Sequence, residues 1–245
     1  MCVSAFLAGI INSIAGGGTL LTFPSLMAVL SPVMANATST IAVFPGTLAS
    51  AWAYRQDAGH PPKLLLWLLG PSVVGGILGT WLVTHTDERI FAALVPWLIL
   101  AAALLFAVQP VVARYTKQAP SVAGEMTGSR VLILAVVQFG VGLYGGYFGA
   151  GMGIMMLSAL AYMGLRDVHE MNSVKTLLAG AINIAAAVLF IAEDKVVWKY
   201  AIPMAICCSV GGYLGARIAL RVSSAVVRNV VIGIGVFLAI YYFAK

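Results

Sequence analysis

Apolar residues run along this chain in long blocks rather than in amphipathic stripes, and the polar residues collect in short gaps between them. Eight blocks stand out, at about 3–30, 36–54, 64–83, 90–108, 131–165, 171–191, 200–219 and 226–243. A helix needs roughly 20 apolar residues to cross about 30 Å of hydrocarbon, and most of these blocks reach that length. The pattern predicts an all-α polytopic membrane protein of about eight hydrophobic helical segments. Two blocks are interrupted by glycine. The first holds Gly16, Gly17 and Gly18 near its middle, and the fifth holds Gly145, Gly146, Gly149, Gly151 and Gly153. Glycine costs about 1 kcal/mol relative to alanine inside a helix. Each backbone group freed in hydrocarbon costs several kcal/mol more unless something satisfies it. Both stretches are therefore expected to be broken helices whose backbone is held open for a ligand.

The gaps set the organisation. Ser31-Pro32 is expected to end the first block, since proline cannot continue a helix ladder. Asn36-Ala-Thr-Ser-Thr40 is expected to cap the second with its own side-chain oxygens. Arg55–Lys63, Thr84–Arg89 and Glu193–Lys199 are polar connections, and Arg114–Arg130 is the longest of them. That stretch divides the chain into a first repeat at 1–113, a connecting loop at 114–130 and a second repeat at 131–245. Each repeat opens with a glycine-broken helix, and the likeness extends to residues. Gly16 aligns with Gly149, Gly18 with Gly151, Thr38-Ser39 with Asn172-Ser173, and Gly46 with Gly180. The set Gly75, Gly76 and Gly79 aligns with Gly211, Gly212 and Gly215, and each is a small-residue face that lets helix backbones approach closely. Transporters built from such repeats hold their site near the bilayer middle, where discontinuous helices meet. The broken runs can be counted as full spans or as re-entrant pairs of half-helices. Positive loops mark the cytoplasmic face, and both counts put the 114–130 loop there while differing over the termini.

Composition narrows the class. The chain is 61% hydrophobic and 9% charged, against about 25% charged in soluble domains, and its mean hydropathy is +0.99. The net charge of +6 does not point to nucleic acid, because the basic residues lie singly in loops. Cys2 is terminal, and the adjacent Cys207 and Cys208 fall in an apolar block, so neither a disulfide nor a metal site is expected and no cofactor is called for. No basic stretch precedes the first block, so the spans themselves are expected to direct insertion into the cell (inner or plasma) membrane as a multi-pass protein. The chain opens almost directly in its first segment, which leaves room for a truncated N-terminus.

Enzymatic readings are poor. His60, His85 and His169 fall between blocks, as do all the carboxylates, so an intramembrane nucleophile would lack a base. The candidate binding residues are polar or flexible groups at depth. They are Asn12, Gly16, Gly17, Gly18 and Thr19 at the first break, with Thr38 and Ser39 in the second block. Their counterparts are Gly149, Ala150, Gly151 and Met152 at the second break, with Asn172, Ser173 and Lys175 beyond it. The N–H groups of Thr19–Leu21 and Met152–Ile154, each opening a half-helix, are expected to carry partial positive charge that suits an anion. Lys175 is either the counter-charge for that anion or a side chain that snorkels to the interface. Arg217, nearer a segment end, reads as snorkelling.

The chain resembles the TauE/SafE family of membrane transporters over nearly its whole length. The resemblance rests on A-G-x-x-x-x-x-x-G-G-G from Ala8 to Gly18 followed by Pro24, and on the second version at Gly142–Gly153. It also rests on Asn172-Ser-x-Lys175, Trp198 and the G-G-x-x-G sets at Gly75 and Gly211. The family is named for proposed export of sulfite and organosulfonates. The resemblance thus implies transport of a small anion, a sulfur oxyanion or sulfonate, by a protein that is not an enzyme and whose partners are that anion, the lipid bilayer and a homo-oligomer at most. The second repeat departs from the first in reading Gly-Ala-Gly at 149–151, so the two halves of a site need not be equivalent. The alternative is a non-transporting scaffold that binds partner helices through its small-residue faces.

Overall fold

The computed structural model describes residues 1–14, 16–54, 63–118, 128–162, 168–218 and 224–244, and among them every regular element is helical. The elements are α1 (Cys2–Ile14), α2 (Thr19–Met27), α3 (Pro32–Tyr54), α4 (Lys63–Thr84) and α5 (Glu88–Gln118). They continue with α6 (Gly128–Tyr147), α7 (Met152–Tyr162), α8 (Val168–Ala192), α9 (Trp198–Ile218) and α10 (Ser224–Ala244). Three helical stretches, Leu65–Thr84, Glu88–Val108 and Met171–Ala192, are long and apolar enough to cross a membrane by length and composition. Large apolar side chains such as Leu66, Trp67, Trp97, Ile206 and Phe237 are exposed on the outside, as a hydrocarbon solvent allows. This is a membrane protein's surface.

The two glycine stretches are the two breaks. Gly16 adopts the left-handed conformation (φ 72°) and its N–H reaches back to the carbonyls of Ile11 and Asn12 at 3.2 and 3.1 Å. That is how a glycine closes off the C-terminal turn of a helix. Gly149 (φ 78°) does the same for α6, its N–H reaching the Tyr144 carbonyl at 3.2 Å. The breaks are not identical. Gly151 is also left-handed (φ 81°), whereas Gly18 is right-handed (φ −55°). After the first break the chain doubles back: Ser4 at the start of α1 donates to Ser25 near the end of α2 at 3.1 Å. The pair α1–α2 is a helical hairpin.

Several boundaries differ from the sequence expectation. Pro32 does not merely end the first run but opens α3, since its missing N–H is one the first turn leaves unbonded in any case. Asn36 and Thr38 therefore lie inside the helix and do not cap it. Asn36 Nδ2 donates to the Tyr147 carbonyl at 2.9 Å, covering the frayed end of α6, and Thr38 Oγ1 accepts the Val197 N–H at 3.1 Å. The connection 114–130 is helical at both ends, through Gln118 in α5 and from Gly128 in α6, because arginine, lysine and glutamine sustain a helix already propagating; residues 119–127 lie outside those described. Glu88, His169 and Glu170 fall within the first turns of α5 and α8, not in loops. Asp87 caps α5 by accepting the Arg89 N–H at 2.8 Å.

Packing crosses the two halves of the chain. The hairpin helix α1 lies along α9, and α6 lies along α4, while α3 bridges α9 and α8. Glycines make both crossings close. A side chain at Gly75 or Gly79 would run into the α6 backbone at Phe139 and Leu143, and one at Gly211 would meet the Phe6 carbonyl. Hydroxyls tie the same contacts: Thr80 donates to the Gly146 carbonyl at 3.2 Å and Ser50 to the Gly212 carbonyl at 3.1 Å. Phe23 of α2 meets Phe148 edge-on, with ring centres 5.2 Å apart, so the two breaks share one apolar core.

Candidate functional site

The breaks touch. A Cβ on Gly16 would stand 2.8 Å from the Gly153 Cα, and one on Gly153 would stand 2.9 Å from the Gly16 Cα. Beside this crossing lies a narrow cavity of about 30 Å³. Its walls come from the end of α1 (Asn12, Gly16), the start of α2 (Thr19), α6 (Gly145) and the start of α7 (Gly149, Met152, Gly153). One face of α3 (Thr40, Val43, Thr47, Ser50) and one face of α8 (Lys175, Thr176, Ala179, Asn183) complete it. Thus, of the residues the sequence singles out, Asn12, Gly16, Thr19, Gly149, Met152 and Lys175 are brought together around one cavity.

The other expected residues do not line it. Gly17 faces the ring of Phe106 on α5, with no room for a Cβ, and a Cβ on Gly18 would stand 2.6 Å from the Ala8 carbonyl oxygen. Both are needed for close packing. Ser39 is engaged with Thr22 at 2.6 Å and Thr38 with Val197, so their hydroxyls hold helices together. Ala150 offers its carbonyl to the Tyr144 hydroxyl at 2.6 Å, and Gly151 packs toward Ala102. Asn172 stands one hydrogen bond from the cavity, through Lys175, and Ser173 does not line it.

The half-helix starts also differ from expectation. The N–H groups of Leu20 and Leu21 donate to the Gly17 and Gly18 carbonyls at 3.0 Å, and those of Met152 and Ile154 to the Gly149 and Gly151 carbonyls at 3.3 and 3.0 Å. Tight turns of this kind tidy a helix end. They leave few free donors there, and the cavity relies on side chains instead. Thr40, Thr47 and Thr176 each send the hydroxyl proton to a carbonyl four residues earlier on their own helix, and Ser50 shares its proton between the Gly46 and Gly212 carbonyls. Asn12 donates one amide hydrogen to Thr47 Oγ1 at 3.0 Å, leaving the second. Among the described residues Lys175 is the one ionisable side chain that lines the cavity. It is only 3% exposed, two turns into α8, and its ammonium donates to Asn172 Oδ1 at 2.9 Å. It does not snorkel. By contrast Arg217 is exposed in the last turn of α9, bonded to the Tyr213 hydroxyl at 3.1 Å and stacked on its ring. Among the described residues no group of three His, Cys, Asp or Glu side chains converges. The arrangement suits binding of an anion by a buried cation and neutral hydrogen-bonding groups.

Across residues 1–242 the chain matches the family model described as Sulfite exporter TauE/SafE. The chain belongs to the sulfite exporter TauE/SafE family. Its relatives include a "Probable membrane transporter protein" of Haemophilus influenzae, 30% identical over 94% of this chain and 88% of that one. The "Probable membrane transporter protein ORF9" of a Sinorhizobium species is 28% identical over 97% of this chain and 89% of its own. The "Probable membrane transporter protein YfcA" of Escherichia coli K12 is 28% identical over 93% and 82%. No solved structure matches the chain. The signal for the α3 and α8 walls was in the sequence. Thr40, Val43, Thr47 and Ser50 recur at helical spacing, as do Thr176, Ala179 and Asn183, and each set forms one face of its helix.

Proposed function

We propose that this TauE/SafE member carries a small anion across the cell (inner or plasma) membrane, and that the anion binds in the cavity where the two helix breaks cross. The observation that carries this reading is Lys175, a buried cation whose hydrogen-bond partner, Asn172, is neutral, in a cavity walled by Asn12, Thr19 and Asn183. A charge at such depth is costly and marks a ligand or ion path more often than a scaffold. The family name and the names of the relatives agree with transport. Sulfite, an organosulfonate or a related sulfur oxyanion is the substrate we take from the family. The small-residue faces favour transport over scaffolding, because Gly75, Gly79 and Gly211 are used up within the chain.

In this reading 1–113 and 131–245 are inverted repeats joined through 114–130. Each contributes a re-entrant hairpin and three spans, which places the hairpin tips near the bilayer middle. Vesicles reconstituted with the protein test the function directly. Across a panel of sulfur oxyanions, sulfonates and carboxylates, at least one should enter faster than into protein-free vesicles. A panel in which none does would overturn transport.

A further inference from the structure

Among the described residues that line the cavity between the breaks, Lys175 alone carries a charge. Asn12, Thr19, Thr47, Thr176 and Asn183 contribute amides and hydroxyls, and no acidic side chain is among the described lining residues. The nearby Tyr144 hydroxyl donates to the Ala150 carbonyl. Helix dipoles do not alter this sum. Each half-helix start carries partial positive charge, but at each break it meets the negative end of the helix before it, α1 against α2 and α6 against α7. Among the described residues the ammonium of Lys175 therefore gives this cavity one positive unit of charge, with a neutral amide as its hydrogen-bond partner.

We infer that the species bound is a compact oxyanion of single negative charge, which together with Lys175 makes a neutral pair. The inference rests on reading this cavity as the substrate site and adds the charge class of the substrate. A dianion would exchange one uncompensated buried charge for another of opposite sign, while a monoanion removes it. The narrowness of the cavity, about 30 Å³, favours a compact ion. Two of the three ammonium hydrogens remain for the ligand after the bond to Asn172. A tetrahedral sulfonate head or a similarly small oxyanion head presents acceptors for them.

Methanesulfonate and sulfate separate the alternatives, being near in size and differing in charge at pH 6, where the Lys175 ammonium keeps its proton. Calorimetric titration of the purified parent protein should give methanesulfonate at least tenfold tighter than sulfate. Lys175→Met should lose tenfold or more in methanesulfonate affinity and narrow the gap between the two ions, which sets the baseline from hydration alone. Lys175→Arg should keep the preference, and it serves as the folded control if Lys175→Met fails to give a monodisperse protein. Equal or tighter binding of sulfate by the parent would overturn the charge inference while leaving the substrate site standing. So would an unchanged methanesulfonate preference in a folded Lys175→Met protein. If neither ion binds the parent, the substrate-site reading falls and this inference with it.

Discussion

Single residues divide sharply between those that shape the cavity and those that hold the helices around it. Lys175 and Asn12 were legible as polar groups at depth, and both line the cavity. Gly17 sits in the middle of the triple glycine, and sequence alone gave no reason to set it apart from Gly16. The difference lies in what each faces: Gly16 meets the Gly153 backbone, and Gly17 meets the Phe106 ring. A bulky residue at 17 would therefore act on packing before it acted on the ligand. Gly17→Ala should lower stability by about 1–3 kcal/mol, the usual range for overpacking, and Phe106→Leu in the same chain should recover part of it. Melting in detergent reads both, and a Gly17→Ala protein as stable as the parent would show that Phe106 yields freely. Lys175→Gln acts differently. It removes a charge from a buried hydrogen bond, so anion affinity should fall by about 1.5–3 kcal/mol with the fold retained. An unchanged dissociation constant would remove Lys175 from the site.

At the scale of elements, glycine marks where a helix stops but not where the next one goes. The break at Gly16 was legible, since three glycines in an apolar block leave little else. Reversal was not, because it is fixed by contacts distant in sequence: Ser4 with Ser25, Thr22 with Ser39, Phe23 with Phe148. The polar stripe of α3 was visible as Thr40, Thr47 and Ser50, yet helical spacing alone does not say whether a stripe meets a helix or a cavity. The hairpin is open to a direct check. In a chain with its native cysteines replaced by alanine, Ser4→Cys and Ser25→Cys should form a disulfide on mild oxidation. In one continuous helix those positions would be about 30 Å apart at 1.5 Å per residue. Failure to cross-link in the folded protein would restore the single-span count.

The whole molecule is organised by exchange. The hairpin helix α1 leans on α9 from the far half of the chain, and α6 leans on α4 from the near half. The likeness between halves pairs residues such as Gly16 with Gly149 on the sequence alone, and it carries no information about whether each half packs on itself or on the other. That depends on glycine faces meeting backbones: a side chain on Gly146 would run into the Gly76 carbonyl and one on Gly212 into the Gly46 carbonyl. The hairpin reading also sets topology. With three spans per half, reporters placed within 119–127 and after Lys245 should report opposite sides of the membrane, the former cytoplasmic. Reporters on the same side would require the second break, between α6 and α7, to lie within a full span.

The location of the anion is the centre of this account, and a structure determined with saturating methanesulfonate tests it most directly. The expected result is density for the ion in the cavity beside the Gly16–Gly153 crossing, with a sulfonate oxygen about 3 Å from Lys175 Nζ and others within reach of Asn12 or Asn183. An ion seated elsewhere between the helices, with Lys175 still bonded only to Asn172, would contradict it.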